Sequence, residues 1–256
     1  MNNVCYELMR PAQVVARRKA CPLAYLPVGG IEWHGPQNPL GLDGLQVHEA
    51  AVRAAHRGGG LVFPVPWYGE HRELHLAEAN EPVRDEIAQA MELPPENFRR
   101  GCMGGRTLMQ QSRFYQELLD HIYHQIRSLG FEAIFVLVGH GPLREYVALT
   151  TMVFERATGV KMDFAGLTDL VEGVPVDHGA RTETATMMTL RPDLVDLSQL
   201  PEGNAHLIGI SGKDPRTGAG ELGEAFVPAA IDELVTRAAA LLKRPASSGA
   251  MNVRPG

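Results

Sequence analysis

Continuous apolar runs recur along the chain and predict its strands. These runs are too apolar for strands with one face in water, so they are typical of the buried strands of a parallel sheet. Four strands are predicted, at 23–28, 61–66, 133–138 and 161–167. The first and third runs lead directly into loops rich in glycine, which is where open α/β sheets bind their ligands.

Helical periodicity fills the intervals between these runs. From Ser112, apolar residues recur every three or four positions as far as Gly130, which is placed to end that helix. Further helices are predicted after Asp43, over 143–158, up to Leu190 and near the C-terminus. Strands that alternate with helices predict an α/β fold of three layers, α/β/α, with a mostly parallel central sheet.

The 256 residues predict one domain, because no linker rich in serine and glycine and no run of charge divides them. This domain is expected to span 1–244, and the tail 245–256, rich in proline, serine and glycine, is expected to be disordered. The charged segment 77–105 has only a short helical stretch near 83–91 and is predicted to be an inserted loop. It is either a cap or subunit contact, or an insertion without a role.

Composition narrows the class of protein. A hydrophobic fraction of 45% with 21% charged residues is typical of a soluble globular protein, and the net charge of -6 argues against nucleic acid as a partner. No apolar run has the length of a membrane span, and the N-terminus lacks a signal-peptide profile. Cys5, Cys21 and Cys102 form neither a zinc pattern nor a disulfide pattern. A cytoplasmic location is therefore expected.

Candidate metal ligands follow two of the predicted strands. Glu32, His34 and Asp43 lie in and just after the loop that follows the first strand, and side-chain alternation points Glu32 and His34 to the same side. His140 lies between two glycines at the end of the third strand. Carboxyl ends of parallel strands meet at one edge, so these residues can converge on a metal ion. The alternative is a pair of surface loops with ordinary polar residues.

A third polar segment has two interpretations. Asp177 and His178 are predicted at the amino end of a helix, with Glu183 one to two turns inside it. These residues can contribute to an active site. Acidic side chains near a helix N-terminus also stabilise a helix that has no function.

Taken together, these segments resemble the creatininase family of creatinine amidohydrolases and relatives. The stretch from Leu26 to Asp43 resembles the family's Pro-Val-Gly-Ser-x-Glu-Gln-His-Gly-Pro-His-Leu-Pro-Leu-x-x-Asp signature. Three later segments resemble its Asn-Gly-His-Gly, Asp-x-His-Ala-Gly-x-x-Glu-Thr-Ser and Gly-Asp-Pro motifs, in the same order, at 138–141, 177–184 and 214–223. The resemblance covers about residues 20 to 243.

The resemblance implies an α/β/α fold, a homohexamer and two divalent ions per chain, either Zn²⁺ or Mn²⁺. By position it implies metal ligands at Glu32, His34, Asp43 and His140, with Glu183 as a fifth ligand and Asp43 as the bridge between the ions. His178 matches a residue that donates a proton to the leaving group, and we assign proton handling to His178 and Glu183.

Several positions depart from the family pattern. Gln37 stands where the family has a second histidine, Asn38 replaces a leucine, and Pro142 stands where some members have a ligating glutamate. We therefore expect a substrate other than creatinine. Arg181 either binds an anionic or polyhydroxylated substrate or lies on a solvated helix face. Further predicted walls of the substrate pocket are Trp33, Tyr68 and His71.

The function implied is hydrolysis, in which a metal-bound hydroxide attacks the carbonyl of a small, cyclic amide and cleaves its C–N bond. One alternative is a hydrolase that opens a cyclic ketone, such as an inositol-derived diketone, at a C–C bond. A second alternative is a metal-binding relative that has kept the fold without turnover.

Overall fold

A computed structural model describes residues 3–68, 81–98, 104–203 and 205–245. Its centre is a sheet of four strands, all paired in parallel, in the order β2-β1-β3-β4. The strands are β1 (Leu23–Val28), β2 (Leu61–Val62), β3 (Ala133–Val138) and β4 (Lys161–Ala165). The predicted parallel α/β fold is confirmed.

Seven α-helices connect and cover these strands within the described ranges. They are α1 (Pro11–Ala20), α2 (Leu42–Gly58), α3 (Glu81–Ala90), α4 (Leu108–Ser128), α5 (Leu143–Thr158), α6 (Arg181–Leu190) and α7 (Ala219–Lys243). None of the helices in this part of the chain combines the length and the apolar character needed to cross a membrane.

Side-chain alternation along β1 divides the interior into two cores. Leu23 and Tyr25 pack on one face of the sheet with buried residues of α2 and α7. Leu26, on the opposite face, packs with buried residues of α4 and α5. Every residue of β1 is buried, and burying each leucine contributes roughly 1.5–3 kcal/mol. The sheet is therefore the middle layer of three.

The strand order places a crevice between β1 and β3. From β1 the chain moves to β2 on one side, and it later returns to β3 on the other side. The loops that leave the carboxyl ends of β1 and β3 consequently diverge toward opposite faces of the sheet, which opens a crevice suited to a ligand. Both candidate ligand loops start at this crevice.

Several predicted boundaries are wrong. Strand β2 ends at Val62 rather than continuing over 61–66, since Pro64 and Pro66 have no N–H group to donate to a neighbouring strand. Strand β4 ends at Ala165, before 167, and α4 begins at Leu108, before Ser112. Helix α1 was not predicted, because Val14 and Val15 are its only large apolar residues and they do not form a helical repeat.

The segment 77–105 is partly described and contains α3 and a 3₁₀ turn at Pro95–Phe98. Its role as a cap or subunit contact stays a prediction. His71 and the tail residues 246–256 lie outside the described residues, and the division into a domain of 1–244 and a disordered tail is likewise still a prediction.

Candidate metal centre

The loop after β1 holds Glu32 and His34 in a fixed arrangement. The backbone N–H of Glu32 donates to the carbonyl of Leu40 at 3.0 Å, which closes the loop on itself. Nδ1 of His34 lies 3.1 Å from the Glu32 carbonyl, and since a carbonyl only accepts, this nitrogen carries the proton. In the neutral form of the ring, Nε2 of His34 then carries the lone pair that a metal-binding imidazole requires.

Asp43 lies between two imidazoles. It is the second residue of α2, where a negative charge is stabilised by the helix N-terminus. Its Oδ1 lies 3.0 Å from His34 Nε2, and its Oδ2 lies 2.8 Å from His140 Nδ1. Glu32 Oε1 is 3.0 Å from the same nitrogen of His140. All four side chains are buried, so the four ligands predicted from the loops do converge.

A glycine makes this convergence possible. Gly139, at the end of β3, lies so close to the first turn of α2 that an added Cβ would be 2.0 Å from the Asp43 carbonyl oxygen. The N–H of Gly139 also donates to the Val28 carbonyl at 2.9 Å, in register with β1. The absence of a side chain therefore allows the His140 loop to approach Asp43.

Glu183 reaches the centre from a third segment. It lies in the first turn of α6 rather than deeper in the helix, because α6 begins only at Arg181. Asp177 precedes the helix and accepts hydrogen bonds from the backbone N–H groups of Thr182 at 2.7 Å and Glu183 at 3.2 Å. Glu183 Oε2 accepts from the Gly179 N–H at 2.6 Å and lies 3.8 Å from His34 Nε2.

The side chains form two ligand groups that share one carboxylate. Glu32, Asp43 and His140 offer one set of atoms within 4.8 Å of one another, and His34, Asp43 and Glu183 offer another. Within the described residues, neither His34 Nε2 nor Asp43 Oδ2 makes a hydrogen bond of normal geometry, despite its close neighbours. Buried lone pairs in this arrangement fit divalent cations with nitrogen and oxygen ligands.

The charges in the cluster shift its pKa values. Burial alone would lower the pKa of His34, but the carboxylates of Asp43, Glu183 and Glu32 raise it to about 9. Burial would raise the pKa of Asp43, yet the neighbouring imidazoles hold it well below its usual range. Burial and the negative charge of Asp43 raise the pKa of Glu183 to about 8. Protons bound to His34 and Glu183 thus offset the negative charge of the carboxylates in the metal-free cluster. Metal cations can offset the same charge.

His178 lies beside the centre and is oriented by backbone groups. Its Nε2 donates to the Trp33 carbonyl at 2.9 Å, which leaves Nδ1 as the lone pair, 3.7 Å from Glu32 Oε1. Its own backbone forms a bridge with Ser211, with both N–H···O distances at 2.9 Å. Burial lowers its pKa, so the ring is neutral at pH 7. With Glu32 and His34, it also forms a third possible ligand group.

A cavity of about 440 Å³ opens over the centre. Glu32, Asp43, His178 and Glu183 lie on its wall, together with Thr182. The cavity wall also carries an ion pair that no sequence motif indicated, between Arg144 in the first turn of α5 and Asp169 in the turn after β4. Both residues follow carboxyl ends of strands, which is the signal that would have identified them.

Three predicted substrate residues lie away from this lining. The Trp33 indole N–H donates to the Ile208 carbonyl at 2.8 Å, and Tyr68 is 78% exposed. Arg181 donates its backbone N–H to the Lys213 carbonyl, and its side chain is absent from the cavity wall of the described residues. Contact of Trp33, Tyr68, His71 or Arg181 with a substrate stays a prediction.

Two residues that depart from the family pattern connect the loops of the centre. The Gln37 side chain donates to the Gly179 carbonyl at 2.7 Å, and the Asn38 side chain donates to the His34 carbonyl at 3.0 Å and to Thr184 Oγ1 at 2.9 Å. They tie the His34 loop to the start of α6. These hydrogen bonds support the positions of His34 and Glu183. The sequence feature that could have indicated this role is the location of Gln37 and Asn38 inside the first motif.

The fold has three layers, with a parallel sheet in the middle, and side chains of the types that bind metals meet at the crevice of that sheet. These features define an α/β protein with a candidate metal centre. The family model for creatininase, described as creatinine amidohydrolase, matches residues 7–238. The chain therefore belongs to the creatininase family, as its motifs predicted.

Two curated relatives are similar over part of their length. The 3-dehydro-scyllo-inosose hydrolase of Thermotoga maritima is 37% identical over 84 residues, which are 32% of this chain and 27% of that protein. The creatinine amidohydrolase of Pseudomonas putida is 27% identical over 187 residues, which are 68% of this chain and 66% of that protein. The matched segments thus span less than two thirds of each relative.

Solved structures share the fold over nearly the whole chain. A putative creatinine amidohydrolase from Bacteroides fragilis has a TM-score of 0.67 at 18% identity, covering 95% of this chain and 98% of that chain. A mutant creatininase complexed with creatine has a TM-score of 0.64 at 20% identity, covering 92% and 97%. Other similar structures are described as a Zn-Zn type and as an Mn form of creatininase.

Proposed function

We propose that this chain is a hydrolase that uses two divalent ions, Zn²⁺ or Mn²⁺, to cleave a small cyclic substrate at a carbonyl group. The observation that supports this most strongly is the pair of ligand groups that share Asp43, one with Glu32 and His140 and the other with His34 and Glu183. A shared carboxylate is how two ions are held close enough to act on the same substrate.

The ions, when bound, lower the pKa of water and polarise the carbonyl under attack. The protein's own residues set the conditions for that chemistry. The carboxylates of Glu32, Asp43 and Glu183 offset the positive charge of the ions, and the carbonyl of Glu32 fixes the His34 ring. Burial of Asp43 and both ligand imidazoles excludes bulk water from the inner side of the centre.

His178 is the residue we assign to proton transfer. Because the Trp33 carbonyl holds the ring proton on Nε2, His178 presents a basic Nδ1 toward the centre. Nδ1 takes a proton from the attacking water and returns it to the departing atom. Glu183 was also predicted to be catalytic, and the main role that we propose for it is that of a metal ligand.

The substrate class that we favour is a cyclic amide, in which the departing atom is nitrogen. A second candidate is a cyclic ketone bearing hydroxyl groups, in which the departing atom is carbon. Two observations favour testing it: the cavity wall carries the polar residues Arg144, Asp169, Thr182 and Thr186, and a relative in Thermotoga maritima is named as an inosose hydrolase.

Hydrolysis in D₂O distinguishes the two classes. The purified chain, loaded with Zn²⁺ or Mn²⁺, is incubated with creatinine, other cyclic amides and inositol-derived ketones, and the products are followed by NMR and mass spectrometry. Cleavage of a C–N bond places the solvent deuteron on nitrogen, where it exchanges. Cleavage of a C–C bond places it on carbon, where it stays.

Turnover of one class that disappears on chelation and returns with the metal is the expected result. Asp43→Asn serves as the control for activity from a contaminant. A protein that binds two ions and hydrolyses no member of either class would contradict the proposed activity and would instead agree with a metal-binding relative without turnover.

We further propose a cytoplasmic homohexamer. Large apolar side chains are exposed on two neighbouring helices: Phe114 on α4 is 53% exposed, and Met152 and Val153 on α5 are 50% and 52% exposed. Exposed apolar side chains of this size support a subunit contact. Light scattering coupled to size exclusion tests the subunit number, and a monomeric mass would contradict the assembly.

A further inference from the structure

A second cluster of ligand-type side chains lies outside the cavity. Cys5, Glu7 and His48 each place one ligand atom, a sulfur, a carboxylate oxygen and a ring nitrogen, within 4.8 Å of the other two. None of the three lines the cavity over the candidate centre. The cysteines gave no zinc pattern in the sequence, because the residues of this cluster come from two distant segments.

The fold holds both segments in place. Cys5 forms a parallel bridge with Val62, so the N-terminal segment extends the edge of the sheet next to β2. Glu7 follows in the 3₁₀ turn Tyr6–Leu8, and His48 lies on α2. Cys5 packs against the hydrophobic core that α2 also helps to form. The approach of these side chains therefore results from two elements that are already packed together.

The chemistry of the donor set favours one class of ion. Zinc accepts thiolate, imidazole and carboxylate ligands together, whereas calcium and magnesium avoid sulfur. In a tetrahedral zinc site the ligand atoms are about 3.3–3.8 Å apart, as follows from bonds of about 2.0–2.3 Å. Atoms within 4.8 Å thus need only small side-chain rotations to close on one ion.

A fourth ligand position is available. The His48 side chain is 21% exposed, so a water molecule can complete the shell. Glu49 also lies nearby, with its Oε1 4.0 Å from His48 Nδ1, although the same oxygen is 3.8 Å from Arg191 Nη1. Two carboxylates beside one thiol form an electronegative site, and a divalent ion that displaces the thiol proton to solvent relieves their repulsion.

We propose that Cys5, Glu7 and His48 form a structural binding site for Zn²⁺ that fixes the N-terminal segment to α2. This site is separate from the candidate centre, and it supports the helix that carries Asp43. Its occupation stabilises the chain and does not take part in hydrolysis.

Cobalt is the probe that distinguishes this site from the candidate centre. The metal-free full-length chain is titrated with Co²⁺, and the near-ultraviolet absorption band of a cobalt–thiolate bond is recorded. All ligands that we assign to the candidate centre are carboxylates and imidazoles, so a band of this kind reports cysteine ligation alone. The titration is repeated with Zn²⁺ as competitor, which is expected to remove the band.

Variants assign the band to residues. We expect the band in the wild type and in Cys21→Ser and Cys102→Ser, and its loss in Cys5→Ser. Cys21 is the matched control because it is also an unpaired, half-buried cysteine. His48→Gln keeps the thiol and is expected to weaken cobalt binding at least 10-fold, the lower bound for altering a metal ligand's surroundings.

Hydrolysis by Cys5→Ser and His48→Gln, once the candidate centre is loaded, is expected to match the wild type. The absence of the band in the wild type would overturn the proposal, as would a band that persists in Cys5→Ser. If Cys5→Ser fails to fold, unchanged cobalt affinity in His48→Gln overturns the ligand set instead. Failure of this site leaves the proposed hydrolysis unaffected, since that activity depends on other residues.

Discussion

Gly139 lies against Asp43 so closely that any side chain on Gly139 would overlap the Asp43 carbonyl, with a Cβ 2.0 Å from the oxygen. The loop that carries His140 and the helix turn that carries Asp43 therefore depend on one backbone contact. This contact sets the 2.8 Å distance between His140 Nδ1 and Asp43 Oδ2.

The first prediction uses the two glycines that flank His140. Gly139→Ala must push the loop away from α2, and overpacking of this kind costs about 1–3 kcal/mol. We expect loss of bound metal and of activity, measured by metal analysis and hydrolysis assays. Gly141→Ala is the control, because a Cβ there meets no atom within 4 Å. Equal metal content in the two variants would contradict the role of this contact.

The second prediction concerns the shared carboxylate. Asp43→Asn keeps the shape of the side chain but removes the charge that both ligand groups use, so it is expected to lose both ions. Glu183→Gln alters only one of the two ligand groups, so this variant is expected to lose one ion. Asp163→Asn, whose carboxylate pairs with Arg237, is the control and should retain both ions. Metal analysis after dialysis distinguishes these outcomes, and one ion retained by Asp43→Asn would exclude it as the bridge.

The third prediction separates proton transfer from metal binding. His178→Gln is expected to keep the metal content and to lower kcat by ~10²–10⁴, the usual contribution of a positioned acid or base. His124→Gln, on the exposed side of α4, is expected to change neither quantity. If His178→Gln loses an ion, then His178 acts as a ligand with Glu32 and His34 rather than as the proton carrier.

The fourth prediction is a pH dependence of the metal-free protein. The pKa of His34 rises from 6.5 to about 9 on folding and that of Glu183 from 4.5 to about 8. A raised pKa contributes stability that is complete below the unfolded value and is lost as the pH rises through the folded value. The unfolding temperature of the chelated chain should therefore fall between pH 6.5 and 9.

Bound ions replace the protons that hold the carboxylates and imidazoles together, so the metal-loaded chain should lose less stability over the same pH range. Calorimetry of both forms measures the difference. A chelated chain that becomes more stable from pH 6.5 to 9 would contradict the assigned contacts of His34 and Glu183.

The fifth prediction asks which arginine contacts the substrate. Arg144 lines the cavity in a pair with Asp169, so Arg144→Gln is expected to raise KM with a smaller change in kcat. Arg181→Gln is the matched variant, since its side chain is not on the cavity wall of the described residues. Steady-state kinetics on the identified substrate decides between them, and a raised KM only in Arg181→Gln would assign the contact to Arg181.

The sequence was sufficient for the sheet and for most of the candidate ligands. Strands β1 and β3 are buried on both faces, so their apolar runs are unambiguous, and the candidate ligands Glu32, His34 and His140 follow them directly. Its position near a helix N-terminus left Glu183 with two interpretations, an active-site residue or a helix-stabilising one, and only the resemblance suggested it as a fifth ligand.

Contacts made by backbone atoms could not be predicted from the sequence. The Trp33 carbonyl that orients His178 and the contact of Gly139 with Asp43 involve no side-chain chemistry that a motif displays. The pairing of Arg144 with Asp169 depends on how two loops turn after β3 and β4. Such contacts depend on tertiary packing, which residue patterns do not encode locally.

The most direct test of the account is a crystal structure of the metal-loaded chain with anomalous diffraction at the metal edge. Two peaks are predicted, both in contact with Asp43, one beside Glu32 and His140 and the other beside His34 and Glu183. Crystals soaked in zinc or manganese that show no peak at Asp43 would contradict the central claim.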